Sequence, residues 1–136
     1  METLSRHEMK VETEDDIILV RRRARELAEA RRFDTFATAA VTTATSELAR
    51  NIVVHAGKGV AILEEVSDGH RTGVRLTFTD EGPGIADVQR VLQGGYSTAR
   101  SMGLGLSGSR RLVDAFELDS APGKGTTITV VKWKRF

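Results

Sequence analysis

Cysteine is absent from the 136 residues, which excludes disulfides and thiolate zinc sites. A charge excess is also missing. Lys and Arg total 20 against 19 Asp and Glu, a formal net charge of +1. Binding to a phosphate backbone or an anionic membrane surface needs a basic surplus, so neither nucleic acid nor membrane is an expected partner. No apolar run approaches the ~20 residues that span a bilayer. The opening Met-Glu-Thr-Leu-Ser-Arg-His-Glu lacks the apolar core and cleavage site of a secretory signal, so a soluble, cytoplasmic chain is expected. Internal repeats and low-complexity linkers are missing too. What remains is 40% hydrophobic and 29% charged residues, which suits one packed core under a solvated surface. Residues 1–136 are expected to form a single domain.

Hydrophobic periodicity divides the chain into helices and strands. Residues 9–13 read as a short first strand. Asp15 and Asp16 mark a helix start, with Ile17, Val20, Ala24, Leu27 and Ala28 following at helical spacing. Arg21, Arg22, Arg23 and Arg25 lie between them, either as a solvated face or as a docking patch for an acidic partner. Asp34 suits the N-cap of a second helix over 35–55, whose apolar stripe is Ala37, Val41, Ala44, Leu48 and Ile52. Strands are expected over 60–67 and 73–80, a short helix over 86–93, a polar loop over 96–105 and a helix over 106–116. A hairpin of 117–120 with 126–133 around Pro122-Gly123-Lys124-Gly125 closes the chain. The sum is an α+β two-layer sandwich, with helices on one face of a mixed, mostly antiparallel sheet.

Four local features carry chemistry. Glu47 and Asn51 stand at i and i+4 and project from one helix face. Asn is a weak helix former, which hints that its side chain is wanted. A carboxylate beside an amide oxygen can hold Mg²⁺ or its waters, and the carboxylate can take a proton from a hydroxyl. An exposed polar pair is the plainer alternative. Next comes Asp80-Glu81-Gly82-Pro83-Gly84-Ile85. Asp80 ends a strand in phase with Val74, Leu76 and Phe78, so its carboxylate sits at the end of an apolar stripe. Such a carboxylate calls for a donor, and an adenine amino group is one. Gly82 and Gly84 would let the backbone approach a flat base, or would simply make a turn.

The third feature runs from Gly95 to Leu106. Hydroxyls of Ser97 and Thr98, with Arg100, lead into glycines at a helix start, where free N–H groups suit phosphate. Gly-Leu-Gly-Leu-Ser-Gly over 103–108 matches G-x-G-x-x-G, but no strand precedes it, so a dinucleotide fold is rejected. The fourth, Gly123-Lys124-Gly125-Thr126, lacks the first glycine of a Walker loop, because Leu118 stands there. It is a hairpin turn by default, although the Thr126 hydroxyl can reach the base end of a nucleotide lying across the sheet. His7, His55 and His70 show no metal-ligand spacing, and His55 reads as a helix-end residue.

The order of these features resembles the GHKL superfamily, with its Bergerat ATP-binding fold. Glu-x-x-x-Asn comes first, then Asp-x-Gly-x-Gly, a Gly-x-Gly lid end and Gly-x-Gly-Thr. Within that group the chain looks like the stand-alone serine/threonine kinases of bacterial partner-switching systems and the stressosome. Residues 46–58, 80–85, 95–111 and 123–133 carry the likeness. The resemblance implies ATP and Mg²⁺ as ligands. Asn51 would ligate the metal and Glu47 would be the general base. Asp80 would bind the adenine amino group over a floor of Gly82 and Gly84, with Ile85 beside them. Ser97, Thr98, Arg100, Gly103, Leu104, Gly105 and Leu106 would form the lid over the phosphates, and Thr126 would support the adenine through water. Ser46 stands where many histidine kinases carry His, and no helix with a phospho-accepting His is present. Implied partners are a STAS-domain substrate and a PP2C-type phosphatase. The rival expectations are an anti-sigma factor kinase and a nucleotide-holding module without turnover.

Overall fold

A computed structural model describes residues 1–88 and 102–135, the side chains of 102–105 excepted. The chain begins with β1 (Glu2–Val11), α1 (Glu14–Ala30) and α2 (Thr35–His55), followed by β2 (Gly59–Ser67) and β3 (Thr72–Asp80). It ends with α3 (Met102–Leu112), β4 (Ala115–Ser120) and β5 (Thr126–Trp133). The strands form one sheet in the order β1-β2-β3-β5-β4. Every pairing is antiparallel, so the sheet is not mixed.

The helix-facing side of the sheet is where the alternation placed it. Val74, Leu76 and Phe78 of β3 are buried, as are Ala61 and Leu63 of β2 and Ile128 and Val130 of β5. Above them lie the α1 stripe Ile17, Val20, Ala24, Leu27 and Ala28, and the α2 residues Val41, Leu48 and Ile52. Full burial of each Val, Leu, Ile or Phe among them contributes roughly 1.5–3 kcal/mol before chain entropy is set against it.

Helix α1 starts with a capping box. The Thr13 hydroxyl accepts from the Asp16 N–H at 3.1 Å, and the Asp16 carboxylate accepts from the Thr13 and Glu12 N–H groups at 3.2 and 2.9 Å. Those backbone donors, Glu12 first, hold the buried Asp16 carboxyl below its ordinary pKa against the opposing effect of burial. Helix α2 is capped by Asp34, whose carboxylate accepts from the Ala37 N–H at 2.7 Å.

Two elements differ from the periodicity. Strand β1 covers Glu2–Val11 rather than 9–13. It is an edge strand whose only buried residue is Val11, so pairing with β2, not a hydrophobic pattern, defines it. Helix α3 runs over Met102–Leu112 rather than 106–116. The chain leaves the helix at Asp114, whose N–H donates to the Val131 carbonyl at 2.9 Å and whose carboxylate accepts from the Trp133 N–H at 2.7 Å. Phe116 then pairs with Val130 as part of β4. The short helix expected over 86–93 lies largely outside the described residues.

Candidate nucleotide site

The site collects at one end of the sheet, where β3 stops and β5 begins. Asp80 and Thr126 are register partners there, on the helix-facing side. One oxygen of the Asp80 carboxylate, Oδ1, accepts from the Gly82 N–H at 2.9 Å, which leaves Oδ2 for another donor. Helix α2 ends over the same place. Its His55 is half-buried; burial pulls the imidazole below its ordinary pKa, and the nearby Asp80 carboxylate opposes that shift. A depression of about 430 Å³ also opens at this end of the sheet, and Lys10, Val60 and Thr79 in its lining are register neighbours on the face away from the helices.

The floor is built by backbone meeting backbone. Gly84 has φ +77°, and a Cβ there would stand 2.0 Å from the Ala121 carbonyl oxygen. Gly125 has φ +73°, and its Cβ would meet the Asp80 carbonyl oxygen at 2.1 Å. Neither position admits a side chain, on conformational and steric grounds together. The Gly123 N–H donates to the Pro83 carbonyl at 2.7 Å and holds the β4–β5 turn against the segment after β3. Gly82 lies under Ala56, the C-cap of α2. Ile85 is buried and its N–H donates to the Ser120 hydroxyl at 2.8 Å.

Glu47 and Asn51 lie on one face of α2, both half-buried. The Asn51 Nδ2 is buried and, among the described residues, has no hydrogen-bond partner. A buried amide without a partner is costly in a finished core and is what a ligand-binding group looks like before its ligand arrives. Together with the glycine-cleared floor and the free Asp80 oxygen, it fits a site that accepts a flat base and a charged tail. Helix α3 presents Leu106 as a fully buried residue and carries Gly103, Leu104 and Gly105 in its first turns. Ser97, Thr98 and Arg100 lie outside the described residues.

Sequence reasoning missed Ser120. Its hydroxyl touches the Ile85 N–H, the Gly125 carbonyl and the Thr126 hydroxyl. Its signal was the one used for Asp80: Ser120 ends an alternating stripe after Phe116 and Leu118, a polar group at the end of an apolar row. Among the described residues no helix is long and apolar enough to cross a membrane.

Residues 37–135 match the family described as histidine kinase-, DNA gyrase B-, and HSP90-like ATPase. The serine/threonine-protein kinase RsbT of Bacillus subtilis (strain 168) is 43% identical over 127 residues, 93% of this chain and 96% of the relative. The anti-sigma F factor of Thermoanaerobacter sp. (strain X514) is 28% identical over 99 residues, 68% of each chain. In architecture the chain is similar to the mycobacterial sensor histidine kinase MprB. The TM-score is 0.57 at 20% identity, over 96% of this chain and 99% of that one.

Proposed function

Since the chain belongs to the family of histidine kinase-, DNA gyrase B- and HSP90-like ATPases, we propose that it transfers the γ-phosphoryl group of ATP to a serine or threonine hydroxyl of a separate STAS-domain protein. The observation that carries this reading is the 43% identity to a serine/threonine-protein kinase over 93% of the chain. The site geometry is consistent with it: an Asp80 carboxylate oxygen beside a floor cleared by glycines, and a carboxylate–amide pair on α2.

In the proposed reaction the acceptor oxygen bonds to the γ-phosphorus as the bond to the bridging β,γ-oxygen breaks. ADP leaves with that electron pair, and the acceptor's proton passes to the Glu47 carboxylate. Such transfers depend on positioning and charge neutralisation more than on covalent help from the protein. Asp80 and Thr126 hold the base, with Gly82, Gly84 and Ile85 forming the floor. Ser97, Thr98, Arg100, Gly103, Leu104, Gly105 and Leu106 are assigned to the phosphates by the same resemblance. Mg²⁺ would be held by the Asn51 side-chain oxygen, a hard donor suited to it, and would neutralise phosphate charge. The Arg21–Arg25 face of α1 is available for docking. Released from its substrate, the protein would bind a PP2C-type phosphatase in the cytoplasm.

Labelled ATP incubated with a candidate STAS protein tests the proposal. Wild-type protein should label the partner. Glu47→Ala should slow transfer by at least about 100-fold while retaining ATP binding, as expected of a general base. Asp80→Asn should weaken ATP binding itself. Wild-type transfer by Glu47→Ala would remove the base assignment. Tight partner binding with no label would instead favour a nucleotide-holding module. The anti-sigma F factor relatives support one alternative client, a sigma factor, and a pull-down with each candidate separates the two.

A further inference from the structure

The Ser120 hydroxyl has three neighbours and three hydrogen-bonding valences, and only one assignment satisfies all three contacts at once. A hydroxyl donates once and accepts twice. The Ile85 N–H, 2.8 Å away, can only donate to it. The Gly125 carbonyl, also at 2.8 Å, can only accept from it. Ser120 spends its single proton on that carbonyl, which belongs to a buried residue and is costly to leave bare. The remaining contact is with the Thr126 hydroxyl at 2.9 Å, where either oxygen could in principle donate. With the Ser120 proton committed, Thr126 must be the donor. Its own proton is then fixed on Ser120, and only lone pairs remain for anything else it meets.

From this we infer that Ser120 is a specificity-determining positioning residue, which acts by locking Thr126 as a hydrogen-bond acceptor. The inference rests on the nucleotide reading of the site. Thr126 is the register partner of Asp80, whose free carboxylate oxygen is also an acceptor. The two side chains therefore present lone pairs only, and complementarity demands donors from the ligand edge and from any water between. A 6-amino purine supplies two N–H donors. A 6-oxo purine brings a carbonyl, which neither residue can satisfy while the lock holds. Without Ser120, the Thr126 hydroxyl can turn and donate, and the penalty against the oxo group falls. Desolvated acceptors facing an acceptor reject a ligand more strongly than a merely missing contact does.

Calorimetric titration of ATP and GTP into the full chain tests this, read as the ratio of their dissociation constants. Wild type should prefer ATP. Ser120→Ala should lower that preference on the order of tenfold, about the worth of one buried hydrogen bond. Ser120→Thr keeps the hydroxyl and should restore the preference. The second readout is a double-mutant cycle with Thr126→Val. If Ser120 acts through Thr126, adding Ser120→Ala to Thr126→Val leaves the ratio where the single variant put it. If Ser120 merely clamps Ile85, both nucleotides weaken together, the ratio stays at the wild-type value and the inference is overturned. A further fall in ratio in the double variant overturns it equally. Failure of wild type to bind either nucleotide would strike the site reading itself, and this inference with it.

Discussion

Strands β3 and β5 run side by side from Gly73 opposite Trp133 to Asp80 opposite Thr126, and their two ends are built on opposite principles. At the Trp133 end, polar groups find their partners inside the protein. Arg75 grips Glu64 with two hydrogen bonds, at 2.9 and 3.1 Å, and the Thr3 hydroxyl adds a third contact to the same carboxylate at 3.3 Å. Arg71 lies over the Trp133 ring, 4.1 Å from its centre, and pairs with Asp68 at 2.9 Å. At the Asp80 end, a carboxylate oxygen and an amide nitrogen are left over among the described residues. The same ladder thus closes its polar accounts at one end and leaves them open at the other. Open valences held on a rigid frame are what a preorganised binding site requires.

The comparison can be broken most severely at the floor of the open end. Gly84→Ala should cost about 3 kcal/mol or more in denaturant unfolding, because overpacking against the Ala121 carbonyl adds to a left-handed backbone. It should also abolish ATP binding. Gly69 has φ +92° but open space around it, so Gly69→Ala should cost only about 1 kcal/mol and spare the site. Equal losses from the two would show that conformation alone, not the backbone interlock, makes Gly84 necessary.

Arg75→Met addresses the closed end. Stranding the buried Glu64 carboxylate should cost about 2–3 kcal/mol, reduced from a fully buried pair because the Arg75 side chain is 26% exposed. ATP affinity should not change, since the two ends are independent. The same pair predicts a pH effect. The Arg75 hydrogen bonds hold the Glu64 carboxyl below its ordinary pKa, with burial opposing. The unfolded chain therefore binds the proton first as pH falls, so this stability is complete above the ordinary Glu pKa and is lost as pH drops through the depressed value. Acid titration of unfolding should show a shallower slope in Arg75→Met. The smallest effect belongs to His55, whose pKa is depressed mainly by burial. Stability should fall as pH drops below the ordinary His value of 6.5, and His55→Gln should flatten that segment. An unchanged slope would remove His55 from the protonation balance of the site.

Sequence was most legible where periodicity and chemistry coincide. The buried stripes of α1 and α2 and the span of β5 follow from spacing alone, and so does the position of Asp80 at the end of a buried row. Strand β1 was only partly visible, because an edge strand with Val11 as its sole buried residue has little pattern to read. The end of α3 was misplaced because Phe116 continues a helical stripe as well as it begins an alternating one. What decided it was Asp114, bonded to residues 17 and 19 positions later. Ser120 and the Glu64–Arg75 pair were hidden for a similar reason. Their partners are chosen by sheet register, which one-dimensional spacing does not contain.

The backbone interlock of Gly84 with Ala121 and of Gly125 with Asp80 also fixes when the pocket can exist. Strands β1, β2 and β3 can pair once Asp80 has left the ribosome, and α1 and α2 can already cover them. The floor, however, requires Ala121 and Gly125, which are made last, to close on Gly84 and Asp80. The floor is therefore complete only after the last hairpin docks. A chain made only as far as Asp80 contains α2 but lacks both Ala121 and Gly125 of this floor.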